Sequence, residues 1–228
     1  MSKRKITKIV VGIIVVVAAL GGLIIWIRQS QQFVFEKHLS DQALTIEDTS
    51  LQLKDVTYYI MAMEQKVNDM AVAYNSADPK EFWNTHYSAG TNSVFMRDYA
   101  KNAAKELCVY DYVMEREAQA AGISLTESDT TQAERDAISY YNQMNEKQKT
   151  NTGISQDQLV LIYQRKKLVE KYVAMAKQSI TKQGYTGDVS AQLDYTGEFY
   201  QNQIRSKYQI SKNDWLWDKM SLGKITVN

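Results

Sequence analysis

Proline and cysteine are almost absent from this sequence, which has one of each in 228 residues. A lone cysteine, Cys108, cannot form an intramolecular disulfide or a cluster of thiolate metal ligands, so we interpret it as a small core residue. One proline and ten glycines, set against abundant Ala, Lys, Gln, Glu and Met, are typical of a helical protein. The composition therefore predicts a mainly all-α fold.

The sequence also lacks excess charge and the residue patterns of common active sites. A net charge of +1 and a pI of about 7.7 exclude the basic surface typical of nucleic-acid-binding proteins. His38 and His86 show neither metal-ligand nor catalytic-triad spacing. The carboxylate pairs Asp111 with Glu115, and Glu115 with Glu117, are interpreted as solvated charges on helices. We predict no catalytic, cofactor-binding or metal-binding residues, and no enzyme activity.

Residues 9–27 form an uncharged apolar run, IVVGIIVVVAALGGLIIWI. As a helix these residues would span roughly 28 Å, close to the thickness of the hydrocarbon core of a bilayer. A cleaved signal peptide is the alternative, but its apolar core usually covers about 7 to 15 residues. Because this run continues past Gly21 and Gly22 to Ile27, we predict an uncleaved transmembrane anchor.

Basic residues precede the anchor and indicate its orientation. Lys3, Arg4, Lys5 and Lys8 lie in residues 1–8, whereas only Arg28 and Lys37 follow soon after the anchor. Because positive charge favours the cytoplasmic side, residues 1–8 are predicted to be a cytoplasmic tail. The rest of the chain would then lie outside a bacterial cell membrane, with residues 28–43 as a stalk.

Residues 44–228 are predicted to form one helical domain. Apolar spacing and capping signals predict helices at residues 54–75, 79–86, 94–121, 127–150, 156–182 and 192–208. The fourth of these is polar and is expected to form a long hairpin with the fifth, turning at residues 151–153. Alternation near residues 45–53 and 223–227 predicts two short strands, which we expect to pair with each other.

Most methionines fall on the apolar stripes of these predicted helices. The first helix has a seam with alternating spacings of four and three, formed by Val56, Ile60, Met63, Val67, Met70 and Tyr74. We assign Met63, Met70, Met114 and Met175 to the core. The helix at residues 156–182 has two apolar faces and is therefore expected inside the bundle.

One stretch resembles a known family. After a long helix the sequence reads A-x-x-x-G-I-x-L-T-E-S-D, in which the matching residues are Ala118, Gly122, Ile123, Leu125, Thr126, Glu127, Ser128 and Asp129. This pattern is similar to the N-terminal chaperone domain of the SurA and PrsA family of extracytoplasmic foldases. The resemblance implies a short strand before the first helix and a final segment that returns to the start of the domain.

The resemblance also implies what is missing. Family members carry a prolyl isomerase domain of the parvulin type between their last two chaperone helices. Here only residues 183–191 separate the corresponding helices, which argues against isomerase activity. The chain then resembles a membrane-anchored chaperone or holdase that binds unfolded or newly exported polypeptides without a cofactor.

Aromatic residues and methionines away from the apolar stripes are the candidates for peptide binding, because such side chains adapt to varied partners. They are Phe82, Trp83, Tyr87, Tyr112, Tyr140, Tyr141 and Met144. The alternative function is that of a structural or scaffolding subunit, which would bind one specific membrane or cell-surface partner or form a homodimer through the seam of residues 56–74.

Overall fold

The computed structural model describes residues 33–88, 93–182 and 187–227, and this part of the chain is mainly α-helical with a small sheet. The predicted fold class is confirmed at that level. The strands are β1 (Gln42–Ile46), β2 (Thr49–Gln52) and β3 (Ile210–Lys212). The helices are α1 (Leu53–Tyr74), α2 (Pro79–Phe82), α3 (Met96–Ala120), α4 (Glu127–Gln143), α5 (Glu146–Thr152), α6 (Gln156–Lys182), α7 (Val189–Leu193) and α8 (Asp214–Lys219).

The sheet has the antiparallel order β2-β1-β3. Thr45 of β1 lies opposite Ser50 of β2 on one side and opposite Ser211 of β3 on the other. The predicted pairing of residues 45–53 with residues 223–227 is therefore wrong. The partner strand comes from Ile210–Lys212, and the Nε1 atom of Trp217 adds a hydrogen bond of 2.9 Å to the carbonyl oxygen of Ala43.

Helix α1 begins directly after the sheet, where Gln52 and Asp55 form a capping box. Its predicted seam is correct in the first half, where Val56, Ile60, Met63 and Val67 are buried and α1 packs on α3. It is wrong in the second half, because Met70 and Tyr74 are 42% and 65% exposed. Of the four methionines assigned to the core, Met63 and Met114 are buried, as is Cys108, whereas Met70 and Met175 are exposed.

The predicted fourth helix is two helices. Thr126 and Asp129 form the capping box expected at its start, just after Gly122, which has a φ angle of 72°. Helix α4 ends at Gln143 because Met144 is extended and buried, and Asn145 then caps α5. Gly153, at a φ angle of 59°, ends α5. The hairpin is therefore shorter than predicted, with α4 packed along α6.

Helix α6 has the predicted bounds, but the sixth predicted helix, residues 192–208, is not continuous. Helix α7 ends at Leu193, since the backbone of Asp194 is extended. A turn follows, in which the Gly197 N–H donates a hydrogen bond of 2.8 Å to the Asp194 carbonyl oxygen. A π-helical turn, Tyr200–Ile204, and a 3-10 turn, Arg205–Lys207, follow. Residues 194–197 therefore separate α7 from a second short helical piece that begins at residue 198.

The predicted anchor at residues 9–27 lies outside the described residues, as do the cytoplasmic tail and the first part of the predicted stalk. Among the residues that are described, no helix has both the length and the apolar character needed to cross a bilayer. Phe35–Asn228 forms one compact unit, and the sites below all lie in it.

Candidate functional site

An open groove lies between the second half of α6, the end of α3 and the turns at residues 200–207. We call it the α6 groove. Its volume is about 380 Å³, and its lining includes Glu117, Tyr172, Met175, Ile180, Phe199, Ile204 and Lys207. Met175 in this lining is 43% exposed, so its apolar side chain is open to the solvent. The groove thus offers an apolar floor to the solvent.

The polar edge of the α6 groove is organised by Glu117. Its carboxylate accepts hydrogen bonds from the hydroxyl groups of Tyr172, at 3.1 Å, and Tyr208, at 2.9 Å, and Lys207 Nζ lies 3.5 Å away. Burial and the nearby Glu117 carboxylate raise the pKa of Tyr172 to about 12. Burial likewise raises the pKa of Tyr208 to about 12. Both phenols therefore remain hydrogen-bond donors at neutral pH and hold this edge in place.

The seven residues predicted to contact peptide do not lie in this groove but fall in three places. Near α2, Trp83 is 4% exposed and buried, the Phe82 ring contacts Tyr74, and Tyr87 stacks on Tyr99 with ring centroids 3.8 Å apart. Trp83 could meet a client only after movement of its surroundings.

The remaining candidates lie on α3 and at α4. The Arg165 guanidinium covers the Tyr112 ring at 3.7 Å, and Tyr140 belongs to an aromatic cluster with Tyr58 and Tyr163. Met144 is buried, and Lys149 lies 4.9 Å from the centroid of Tyr141. These side chains already serve contacts within the domain.

The sequence contained a signal for the α6 groove that we interpreted differently. Leu161, Leu168, Tyr172 and Met175 form the second apolar stripe of α6, which we took as evidence that the helix is enclosed. Leu168 is buried, but Met175 is 43% exposed and lines the groove with Tyr172, so this part of the second face is open. The exposed end of the stripe, at Tyr172 and Met175, is the feature that marks the groove.

A buried polar cluster joins α1, α3 and α6. Asp111 is 5% exposed, and its Oδ2 atom accepts a hydrogen bond of 3.0 Å from the Tyr59 hydroxyl and lies 3.7 Å from Lys166 Nζ. Burial raises the pKa of Asp111, while the Lys166 charge and the Tyr59 hydroxyl partly oppose this rise. Our interpretation of Asp111 as a solvated carboxylate is wrong. The cluster ties three helices together.

Replacement of Asp111 by asparagine is expected to stabilise the domain at pH 7. Because the folded-state pKa is raised, the contribution of Asp111 to stability is complete below its unfolded value of 3.8 and is lost as the pH rises through the folded-state pKa. An asparagine can still accept the Tyr59 hydrogen bond and does not ionise. Urea unfolding should show an advantage for Asp111→Asn at pH 7 that shrinks towards pH 4.

The exposed Asp136, whose carboxylate accepts a hydrogen bond from Gln132 on the same helix, supplies the control. Asp136→Asn should change the free energy of unfolding by less than about 0.5 kcal/mol at either pH. A lower stability of Asp111→Asn than of the parent at pH 7 would mean that attraction to Lys166 outweighs the cost of burying the carboxylate.

A second buried carboxylate, Glu64 of α1, binds the last described segment, residues 220–227. Its two oxygens accept hydrogen bonds from four backbone N–H groups and one hydroxyl. The donors are Gly223 N at 2.5 Å, Lys224 N at 3.1 Å, Ile225 N at 3.2 Å, Thr226 N at 2.6 Å and Thr226 Oγ1 at 2.6 Å. The backbone N–H groups of residues 223–226 therefore donate to one side chain instead of to a neighbouring strand.

No family model, characterised protein or solved structure matches this chain. Among the described residues, no group of three or more His, Cys, Asp or Glu side chains is arranged to hold a metal ion. A function must therefore be inferred from the fold, its surfaces and the short sequence resemblance. They define a mainly helical domain with an open apolar groove.

Proposed function

We propose that this chain is a membrane-anchored extracytoplasmic chaperone or holdase, which binds unfolded or newly exported polypeptides and has no prolyl isomerase activity. The α6 groove is the observation that carries the proposal. It combines an exposed methionine and a half-buried phenylalanine with a polar edge, and flexible apolar side chains of this kind suit varied partners.

Two further features support the proposal. The A-x-x-x-G-I-x-L-T-E-S-D stretch, which resembles the SurA and PrsA family, forms the junction of α3 and α4, and Glu117 at this junction lines the groove. The apolar run at residues 9–27 would tether the domain close to the site where exported chains emerge. Peptide binding would then need no cofactor.

The test is suppression of the aggregation of a reduced, unfolded protein by residues 29–228. We expect suppression by the parent and an affinity about tenfold weaker for Met175→Asp, because the charge lies on the apolar floor of the groove. Met175 is partly exposed, so the variant should still fold.

Leu161→Asp is the matched control, since Leu161 is an exposed apolar residue on the same helix that does not line the groove. It should retain the parent's affinity for the unfolded protein. Equal loss in both variants, or no suppression by the parent at several-fold molar excess, would remove the proposal. Catalysis in a proline isomerisation assay would contradict the proposed lack of isomerase activity.

A structural or scaffolding subunit is the second candidate, and the end of α1 favours it. Met70 and Tyr74 of the predicted seam are exposed there, one turn apart on the same face of the helix. An exposed apolar surface of this kind suits a specific protein partner or a second copy of the chain. Crosslinking in membranes separates the candidates, because a holdase gives many products and a scaffold gives one partner in fixed ratio.

A further inference from the structure

Residues 220–227 lie in a groove of the domain as a peptide ligand would. The segment follows α8 and has no helix or strand of its own. The side chains of Met220, Leu222, Ile225 and Val227 are buried. We call the surface that holds it the Glu64 groove, defined by Glu64, Trp83, Lys101, Lys147 and Asn151.

The Glu64 groove recognises mainly backbone atoms. Glu64 accepts hydrogen bonds from the N–H groups of residues 223–226. The carbonyl oxygens are bound by side chains from three places in the chain. Lys101 Nζ donates to Met220 at 3.3 Å, Asn151 Nδ2 to Ile225 at 2.5 Å and Lys147 Nζ to Val227 at 3.1 Å. Every polypeptide carries these backbone groups, so most of the polar contacts place no demand on sequence.

The groove selects the side chains of its ligand at two kinds of position, namely the buried apolar positions and the position of Gly223. Gly223 has a φ angle of 91°, and a Cβ atom there would lie 2.5 Å from Cδ2 of Trp83. A glycine is therefore favoured against the Trp83 ring.

The segment does not fill the space beside it. An open cavity of about 380 Å³ is bounded on one side by Lys80, Trp83, Asn84 and Arg97, and on the other by residues 221–224. One wall is thus the segment itself, and the cavity would join the Glu64 groove if the segment left. Because residues 220–227 form no helix or strand, their displacement would break contacts with Glu64, Lys101, Lys147 and Asn151 but no hydrogen bond inside a helix or a sheet.

From these contacts we propose that the Glu64 groove is a second polypeptide-binding site, which takes an extended apolar segment of another chain. Residues 220–227 occupy it in cis and exchange with that segment. The partner has apolar residues where Leu222, Ile225 and Val227 lie and a glycine beside Trp83. This proposal rests on the proposed function, in that both have the domain bind other polypeptides, but it concerns a different surface from the α6 groove.

Hydrogen exchange on the full chain in detergent micelles tests the proposal without a mutation. The amides of residues 223–226 should exchange faster than the core amides of α1, because the segment opens locally while the domain stays folded. A synthetic peptide with the sequence of residues 219–228, KMSLGKITVN, should accelerate their exchange further, and a scrambled peptide should not. Exchange no faster than that of the α1 core, without acceleration by the peptide, would overturn the proposal.

Affinity measurements give a second test. Leu222→Asp should loosen the segment and leave the groove intact, so the labelled peptide should bind about tenfold more tightly than to the parent. Adding Glu64→Gln to that variant should remove the gain. Lys224→Ala, at an exposed position of the same segment, is the matched control and should bind like the parent. If Leu222→Asp folds and gains no affinity, the site is refuted, and if it does not fold, the exchange experiment decides.

The outcome is separable from that of the proposed function. Suppression of aggregation that depends on Met175, with no effect of the peptide on residues 223–226, would leave the holdase and remove the Glu64 groove as a site. If the peptide accelerates exchange in residues 223–226 but the chain does not suppress aggregation, the Glu64 groove stands as a binding site and the holdase proposal is removed.

Discussion

Replacement of Glu64 by alanine is expected to lower the free energy of unfolding by about 3 to 5 kcal/mol, because each buried donor left without a partner costs about 1 to 3 kcal/mol. Four backbone N–H groups and the Thr226 hydroxyl would lose their acceptor together. The individual costs do not add in full, since residues 220–227 would detach and become hydrated. Urea unfolding of residues 29–228, followed by circular dichroism, measures the loss.

Two variants define how Glu64 acts. Glu64→Gln retains one acceptor oxygen but presents an N–H₂ group to some of the donors, so its loss should approach that of the alanine variant. Gln65→Ala removes an exposed side chain that donates a hydrogen bond to Asp69 on the same helix, and it should change stability by less than about 0.5 kcal/mol. Equal stability of Glu64→Ala and the parent would show that residues 220–227 are not held by the carboxylate.

Replacement of Arg165 by methionine is expected to cost about 2 to 4 kcal/mol, since breaking a largely buried ion pair leaves an unpaired charge. The Arg165 Nε atom donates to Glu115 Oε2 at 2.6 Å, with only 13% and 24% of the two side chains exposed. The guanidinium also covers the ring of Tyr112 at 3.7 Å, a contact that methionine cannot replace electrostatically. Denaturant unfolding measures the cost.

A double-mutant cycle with Glu115→Gln isolates the pair. The double variant should be less destabilised than the sum of the single variants, because removing both charges leaves neither unpaired. Lys167→Ala is the matched control on α6. Its partner Glu170 is 65% exposed, and exposed pairs contribute about 0 to 1 kcal/mol. A negligible coupling energy between residues 165 and 115 would contradict the assignment of this pair as a tie between α3 and α6.

Helix positions followed from local signals in the sequence. The bounds of α6 and the start of α1 were predicted closely, because apolar spacing and caps are properties of neighbouring residues. The break at Met144 and the turn at residues 194–197 were not predicted. The backbone of Met144 is extended and its side chain is buried in the domain. The helical spacing of the sequence continues through this position, so it gave no sign of the break.

The buried carboxylates show why the sites were harder to predict. Glu64 lies four residues after Ile60 and three before Val67, so helical spacing alone places it on the buried face of α1. That signal was available, but its ligand, the backbone of residues 223–226, has no sequence signature. Asp111 likewise has a partner on α1, Tyr59, at a separation of 52 residues. Such pairings depend on how the helices pack.

The distance in sequence between α1 and its final partners has a consequence for biogenesis. Glu64 bonds to residues 159 to 162 positions later, and β1 pairs with residues 210–212. During synthesis, Glu64 and β1 must therefore wait for nearly the whole domain to emerge before these partners are available, although α1 can pack on α3 earlier. Contacts between residues so far apart in sequence slow folding, and they leave apolar surface exposed to the solvent until they form.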